Sequence, residues 1–158
     1  MSEKRATAAL VDAGIAYTLM RHGPVSSLAE AAEARGVSPE QIVKTLVVRR
    51  GEDDYLFVLV PGRRQIAWPK LRAVLGVTRL SMPDAGTARE ATGYERGTIT
   101  PFGSLCAWPV IADVRIDGTI SIGAGAHGVT ALAAAADVIR ALSATVADVT
   151  APQAPVTT

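Results

Sequence analysis

Lys44 lies inside Ile42-Val43-Lys44-Thr45-Leu46-Val47-Val48, a run that is otherwise apolar apart from Thr45. If the run is a strand, alternate side chains share a face, and Lys44 sits with Ile42, Leu46 and Val48. The chain has three lysines and thirteen arginines, so composition alone does not put a lysine there. A lysine stem can pack against such a face while its ammonium reaches water. The same ammonium is a compact charge that can approach a developing oxyanion or a phosphate from a partly dry site.

A second group of chemically useful residues is ATGYERGTITPFG, Ala91 to Gly103, with three glycines, one proline and four hydroxyl side chains but only two charges. A plain turn needs one or two such residues. Gly97 and Pro101 bracket Thr98, Ile99 and Thr100, and could hold N–H groups in one orientation, as an anion or carbonyl cradle requires. Glycines there could equally supply positive φ and nothing more. Gly93, Tyr94 and Gly103 complete the stretch. A further cluster, GAGAHG, contains Gly125, His127 and Gly128. His127 and His22 could each hydrogen-bond a substrate or orient water.

Other chemistries fit less well. No G-x-S-x-G elbow is present, and no motif links a serine to a histidine. Cys106, the only cysteine, stands among Leu105, Ala107 and Trp108 and reads as a buried structural thiol. Two histidines without further ligands make a poor zinc site, so neither a metal nor another cofactor is expected.

The elements that must carry these residues are readable in outline. The 158 residues are 49% hydrophobic and 20% charged with a formal net charge of +1, which suits one folded domain. The single cysteine excludes an intrachain disulfide, and no apolar run is long enough to span a bilayer. A soluble cytoplasmic protein is the expectation. Near-neutrality argues against coating long nucleic acid. Eight basic residues against three acidic ones between Lys44 and Arg79, Arg49, Arg50, Arg63 and Arg64 among them, would still suit a short contact with a phosphate-bearing partner.

Along the chain, Ala6, Ala9, Leu10 and Ala13 share a helical face, and Gly14 stops that helix. Ile15 to His22 reads as a strand. Ser27 and Glu30 have capping-box spacing for a helix ended by Gly36, and Ser38-Pro39-Glu40 opens a shorter one. IVKTLVVRR and YLFVLV read as a β-hairpin across GEDD. A helix is expected from Trp68 to Leu75, a short strand at VTRLSM, and a helix capped by Asp84 and running to Gly93. LCAWPVIAD and VRI read as strands, with Asp117-Gly118 turning the chain back into TISIG. An alanine-rich helix follows around Ala133 to Leu142. The pattern implies a mixed α/β or α+β domain over residues 1–149, with 150–158 as a loose tail.

KTLVV with Lys44, then ATGYERGTITPFG, then GAGAHG, in this order, resemble the YbaK/EbsC family of aminoacyl-tRNA deacylases. These are free-standing relatives of the editing domain of bacterial prolyl-tRNA synthetase. The likeness runs from about His22 to Val149. It implies one domain with a curved, mostly antiparallel mixed sheet flanked by helices, and hydrolysis of the ester on a mischarged tRNA. The family's strand lysine maps onto Lys44 and its G-x-x-x-P loop onto Gly97 to Pro101. Also expected around the substrate are His22, Thr45, Gly93, Tyr94, Gly103, Gly125, His127 and Gly128. The implied partners are the aminoacylated tRNA 3′ end and an aminoacyl-tRNA synthetase, with no membrane. The chain reads Ala126-His127 where cysteinyl-tRNA(Pro) deacylases tend to carry a Lys-Arg pair, so cysteine and alanine both stay open as the edited amino acid. A non-catalytic module that keeps the pocket for tRNA ends or a synthetase is the alternative reading.

Overall fold

The structure is a computed structural model that describes residues 2–25 and 27–153. Its centre is a hairpin of β2 (Val43–Gly51) and β3 (Asp54–Pro61), paired antiparallel from Val43–Pro61 to Arg49–Tyr55. Strand alternation sorts their side chains between two cores. Val43, Val47, Tyr55, Phe57 and Leu59 enter the larger one, and Val48, Leu56, Val58 and Val60 the smaller. β3 is buried from Tyr55 to Pro61, as an inner strand should be. On its other side β5 (Val110–Asp113) runs parallel to it, and β8 (Thr145–Ala147) runs parallel to β5. The order β2-β3-β5-β8 leaves β2 as an edge strand.

A second, antiparallel sheet has β7 (Val129–Ala134) between β1 (Tyr17–Arg21) and β6 (Thr119–Gly123). Its Ile120, Ile122, Ala131 and Ala133 pack into the larger core with Phe57, Leu59 and Val110. A two-stranded piece pairs β4 (Arg64–Ile66) with β9 (Thr150–Pro152). One parallel bridge, Ile42 to Ser121, ties β2 to β6 and so joins the two larger sheets.

The helices follow their local signals. α1 spans Ser2–Asp12 and buries Ala6 and Leu10. In α2 (Leu28–Arg35) the Ser27 hydroxyl accepts from the Glu30 amide, and Gly36 closes the helix at φ 70°. α3 (Trp68–Leu75) ends at Gly76, and α4 (Ala85–Thr92) starts where Asp84 accepts from the Thr87 amide at 2.7 Å. α5 spans Ala135–Ala141. Among the described residues no helix is long and apolar enough to cross a membrane.

The mixed α/β architecture is as expected, with its strands distributed over three sheets. Several sequence expectations need correcting. Asp117-Gly118 does turn the chain, with Gly118 at φ 65°, but TISIG pairs with β7 and not with VRI. Both edges of β5 are already occupied, by β3 and β8, so β6 has no place beside it. The alanine-rich helix expected around Ala133 to Leu142 is α5, which starts two residues later because Ala133 and Ala134 end the strand β7. Within β7, Ala131 and Ala133 are small enough to sit in the core between the two sheets. VTRLSM forms no strand, only the bridge from Ser81 to Arg49, and Leu105 to Trp108 are likewise outside β5. Ser38-Pro39-Glu40 opens a 3₁₀ turn, Pro39–Gln41. Cys106 is exposed, not buried. The expected loose tail begins with the ordered strand β9, whose Thr150 is buried, while residues 154–158 of that tail lie outside the described residues.

An ionic cluster clamps this last strand pair. Asp148 accepts from Arg115 Nη1 at 2.8 Å and from Lys70 Nζ at 3.1 Å, and Arg115 also reaches buried Asp113 at 3.1 Å. Arg115, then Lys70, hold the Asp148 carboxyl down at about 2. A depressed carboxyl stabilises the fold above its unfolded pKa, and that stability is lost as pH falls through the folded value. The wild-type melting temperature should therefore drop between about pH 4 and pH 2. Asp148→Asn should melt lower at neutral pH but lose less across that acid window. Parallel melting curves for the two proteins would contradict the assignment.

Candidate active site

Between its two end bridges, to Ser121 at Ile42 and to Ser81 at Arg49, β2 has no strand on its outer edge among the described residues. Arg49 exchanges both backbone bonds with Ser81, at 2.7 and 3.1 Å, so its amide and carbonyl point away from β3. Antiparallel pleating then turns the backbone groups of Thr45 and Val47 the same way. They face a cavity of about 640 Å³, within the range that holds a nucleoside-sized ligand. Ile42 to Val47 form one wall of it. The residues leading into α4 and its first turn (Met82, Pro83, Asp84 and Ala85) form another, with Ala88 behind. Arg96, Gly97 and Ile99 close the third side, and Arg35 and Gly123 reach in from α2 and β6.

Lys44 is on the wall, half-buried, with Nζ donating to the Arg64 carbonyl at 3.1 Å. Burial lowers its pKa from the ordinary lysine value. One acceptor occupies one of three ammonium protons, so two remain for a ligand. Thr45 adds a buried hydroxyl with no partner, the sort of group that waits for a ligand or water.

Of the glycine-rich stretch, Arg96, Gly97 and Ile99 line the cavity, while the rest is scaffold. Tyr94 is fully buried, donates to the Phe102 carbonyl at 2.6 Å and lies under the Arg5 guanidinium, 4.7 Å from its ring centre. Arg5 also donates to the carbonyls of Gly93 and Gly103, both at 2.9 Å, and so ties both ends of the stretch to α1. The Thr98 amide and hydroxyl both donate to the Glu95 carbonyl, and Thr98 in turn accepts from Gly125. The Thr100 hydroxyl accepts from the Phe102 amide. Thr98 is committed and Pro101 lacks an N–H, so the loop amides available near the cavity belong to its lining residues Arg96, Gly97 and Ile99.

The other glycines are small because protein, not ligand, lies against them. A β-carbon on Gly103 would sit 2.5 Å from the Arg5 carbonyl, and one on Gly125 would sit 2.6 Å from the Ser2 carbonyl. On Gly128 it would strike the His22 carbonyl, and on Gly93 the Arg5 guanidinium. His22 is fixed by its backbone N–H, which donates to the Gly128 carbonyl, and by a ring contact to the Gly23 carbonyl, and its Nε2 is buried without a partner. His127 is exposed, 3.3 Å from Glu95, and its ring lies beside Gly97 at the cavity rim. Neither histidine, nor Gly93, Tyr94, Thr98, Thr100, Pro101, Gly103, Gly125 or Gly128, lines the cavity itself.

Sequence reasoning missed Arg35, Arg96, the β2 edge and Arg5, since no local pattern marks them. The basic segment is partly spoken for. Arg50 pairs with Asp54, Arg63 with Glu40, and Arg64 with Thr150.

The profile described as "Aminoacyl-tRNA editing domain" matches residues 22–141. Over 96 residues the chain is 39% identical to the proline–tRNA ligase of Thermosipho melanesiensis, a match covering 60% of this chain and 17% of that protein. The chain thus spans less than a fifth of that relative. It is 31% identical over 108 residues to the prolyl-tRNA editing protein ProX of Acetoanaerobium sticklandii, covering 66% of this chain and 65% of that one. The fold superposes with a TM-score of 0.83 on the crystal structure of a proposed trans-editing enzyme for prolyl-tRNA synthetase. That protein is 26% identical, and the superposition covers 97% of this chain and 98% of the other.

Two glycines separate site from scaffold. At Gly97, φ is 90° and the nearest atom to an added β-carbon is 3.7 Å away, so Gly97→Ala costs only the backbone term, about 1–2 kcal/mol. Gly125→Ala adds a collision with backbone. Gly125→Ala should therefore lower the melting temperature more. Gly97→Ala should lose at least about tenfold in turnover, measured well below its melting point, because it displaces a cavity amide. Equal stability losses with full turnover at Gly97 would refute this division.

Proposed function

The chain belongs to the aminoacyl-tRNA editing domain family, and we propose that it is a trans-editing deacylase that hydrolyses the ester joining a wrong amino acid to a tRNA 3′ end. The observation that carries this reading is the cavity at the open edge of β2. It has nucleoside size, polar backbone on two sides, and one half-buried ammonium. We place the activity in the cytoplasm, where aminoacyl-tRNA is made and used.

The chemistry asked of the protein is modest. Water adds to the ester carbonyl carbon, the bond to the ribose oxygen breaks, and that oxygen leaves protonated, giving free amino acid and uncharged tRNA. Charge builds on the carbonyl oxygen during attack. Preorganised donors in a cavity screened from bulk water stabilise that charge far better than solvent does. The candidate donors are the Gly97 and Ile99 amides, the outward amides of Thr45 and Val47, and the Lys44 ammonium. Apolar Val43, Val47, Met82, Pro83 and Ala88 leave room for a small side chain and a stacked base. Rate comes from holding ester and water in register, with no nucleophilic side chain required. We assign to His127, at the rim beside Gly97, a contact with the aminoacyl group.

A panel of mischarged tRNAs, cysteinyl- and alanyl-tRNA(Pro) included, with a free amino-acid ester as control, tests the proposal. Hydrolysis of one or more tRNAs is expected. Hydrolysis of none would leave a binding module, and hydrolysis of the simple ester alone a general esterase. Lys44→Ala should lose about a hundredfold or more in single-turnover rate with little change in melting temperature, and Lys44→Arg should not restore it. Burial lowers the Lys44 pKa, so the charged form is lost at lower pH than for a free lysine. The Lys44-dependent part of the rate, after subtraction of spontaneous hydrolysis, should accordingly fall as pH rises through that lowered value. A rate that tracks spontaneous hydrolysis throughout would rule out a charged Lys44.

A further inference from the structure

Arg35 is the last residue of α2, and its side chain enters the cavity. Its surroundings are unusual for a guanidinium. Nη1 donates to the Ser121 hydroxyl at 3.1 Å, and Nε is buried with no acceptor. No carboxylate pairs with it among the described residues. Burial destabilises the charged form, as expected of a cation removed from water without an anion. A half-buried arginine left in this state weakens a fold unless something else supplies the missing acceptor.

The rest of the cavity agrees. Three cations line it, Arg35, Lys44 and Arg96, against one acid, Asp84. That carboxylate is already used as the cap of α4, and the Thr87 amide lowers its pKa. The cavity therefore carries an excess of positive charge that its own residues do not balance. Every aminoacyl-tRNA brings one fixed anion next to its reacting ester, the phosphate that joins the terminal adenosine to the preceding nucleotide. The planar guanidinium fork suits a phosphate better than any other side chain does.

We propose that Arg35, oriented by Ser121, is the phosphate subsite of this cavity, receiving the 5′-phosphate of the terminal adenosine. The inference rests on the deacylase reading for the identity of the ligand, but not for the existence of the site. Ser121 serves as a positioning residue: it is the β6 partner of Ile42, so the strand that closes one end of the β2 edge also aims the arginine. Lys44 is thereby freed from anchoring phosphate and left to act at the ester.

The test compares adenosine 5′-monophosphate with adenosine as ligands, measured by calorimetry or by amide chemical shifts. The wild-type protein should bind the monophosphate at least about tenfold more tightly, and the difference should shrink with added salt. Arg35→Leu, which keeps the aliphatic length, should bring the monophosphate down to the affinity of adenosine and leave adenosine itself unchanged. Arg35→Lys should restore part of the preference. Removing an uncompensated charge should also leave the melting temperature unchanged or raised, whereas a structural arginine would lower it. Equal binding of the two ligands by the wild type, or a preference that survives Arg35→Leu, overturns the proposal. A wild type that deacylates tRNA but shows no preference refutes the subsite and leaves the function standing. A wild type that prefers the monophosphate yet deacylates nothing supports the subsite on a binding module.

Discussion

Among the described residues, strand β2 is tied to β3 along its whole inner side but on its outer side only at its two ends, by Ser121 and by Ser81. Everything else about the site follows from that unclosed stretch. An exposed strand edge is ordinarily a hazard, a row of amides and carbonyls ready to pair with another chain. Here the edge opens inward on a cavity walled by α4 and the Gly97 loop, and its polar groups become recognition groups. Closing the sheet with one more strand would satisfy the backbone and remove the site.

The same stretch explains where the charge sits. Lys44 alternates with Val43 and Thr45 on a strand whose two faces serve two different cores, so its stem packs beside Leu46 and Val60 while its head reaches the Arg64 carbonyl. Arg35 arrives from α2, held by the strand that bridges the edge at Ile42. The cavity thus receives cations from two separate elements, while its apolar residues come mostly from β2 itself and from the start of α4. Such an arrangement suits a ligand that is anionic at one end and apolar at the other.

The glycine-rich segments divide along similar lines. Arg5, stacked on buried Tyr94, binds the carbonyls of Gly93 and Gly103 and holds a long irregular stretch rigid. Most of the glycines exist so that α1 and β1 can approach this stretch closely. Of that stretch, Arg96, Gly97 and Ile99 reach the cavity. Features with local causes were therefore legible in the sequence: the β2–β3 hairpin, the helices bounded by Ser27 and Gly36 or by Asp84 and Gly93, and a lysine out of place in an apolar run. Features with non-local causes were not. β7 was not legible as a strand, because nothing nearby shows that Val129 to Ala134 will pair with both β1 and β6. Arg35 looked like one arginine among thirteen, since its significance lies in the acceptor it lacks. The glycine count was visible, but whether a glycine faces ligand or backbone depends on what the fold brings against it.

On the proposed function, substrate lies along the open edge of β2 and not over the glycine-rich scaffold behind it. Amide chemical shifts measured during titration with a non-hydrolysable aminoacyl-adenosine amide test this most directly. The account predicts the largest changes at Val43, Thr45, Val47, Gly97 and Ile99, with little change at Tyr94, Gly103 and Gly125. Changes centred on those three, with the β2 edge silent, would contradict it.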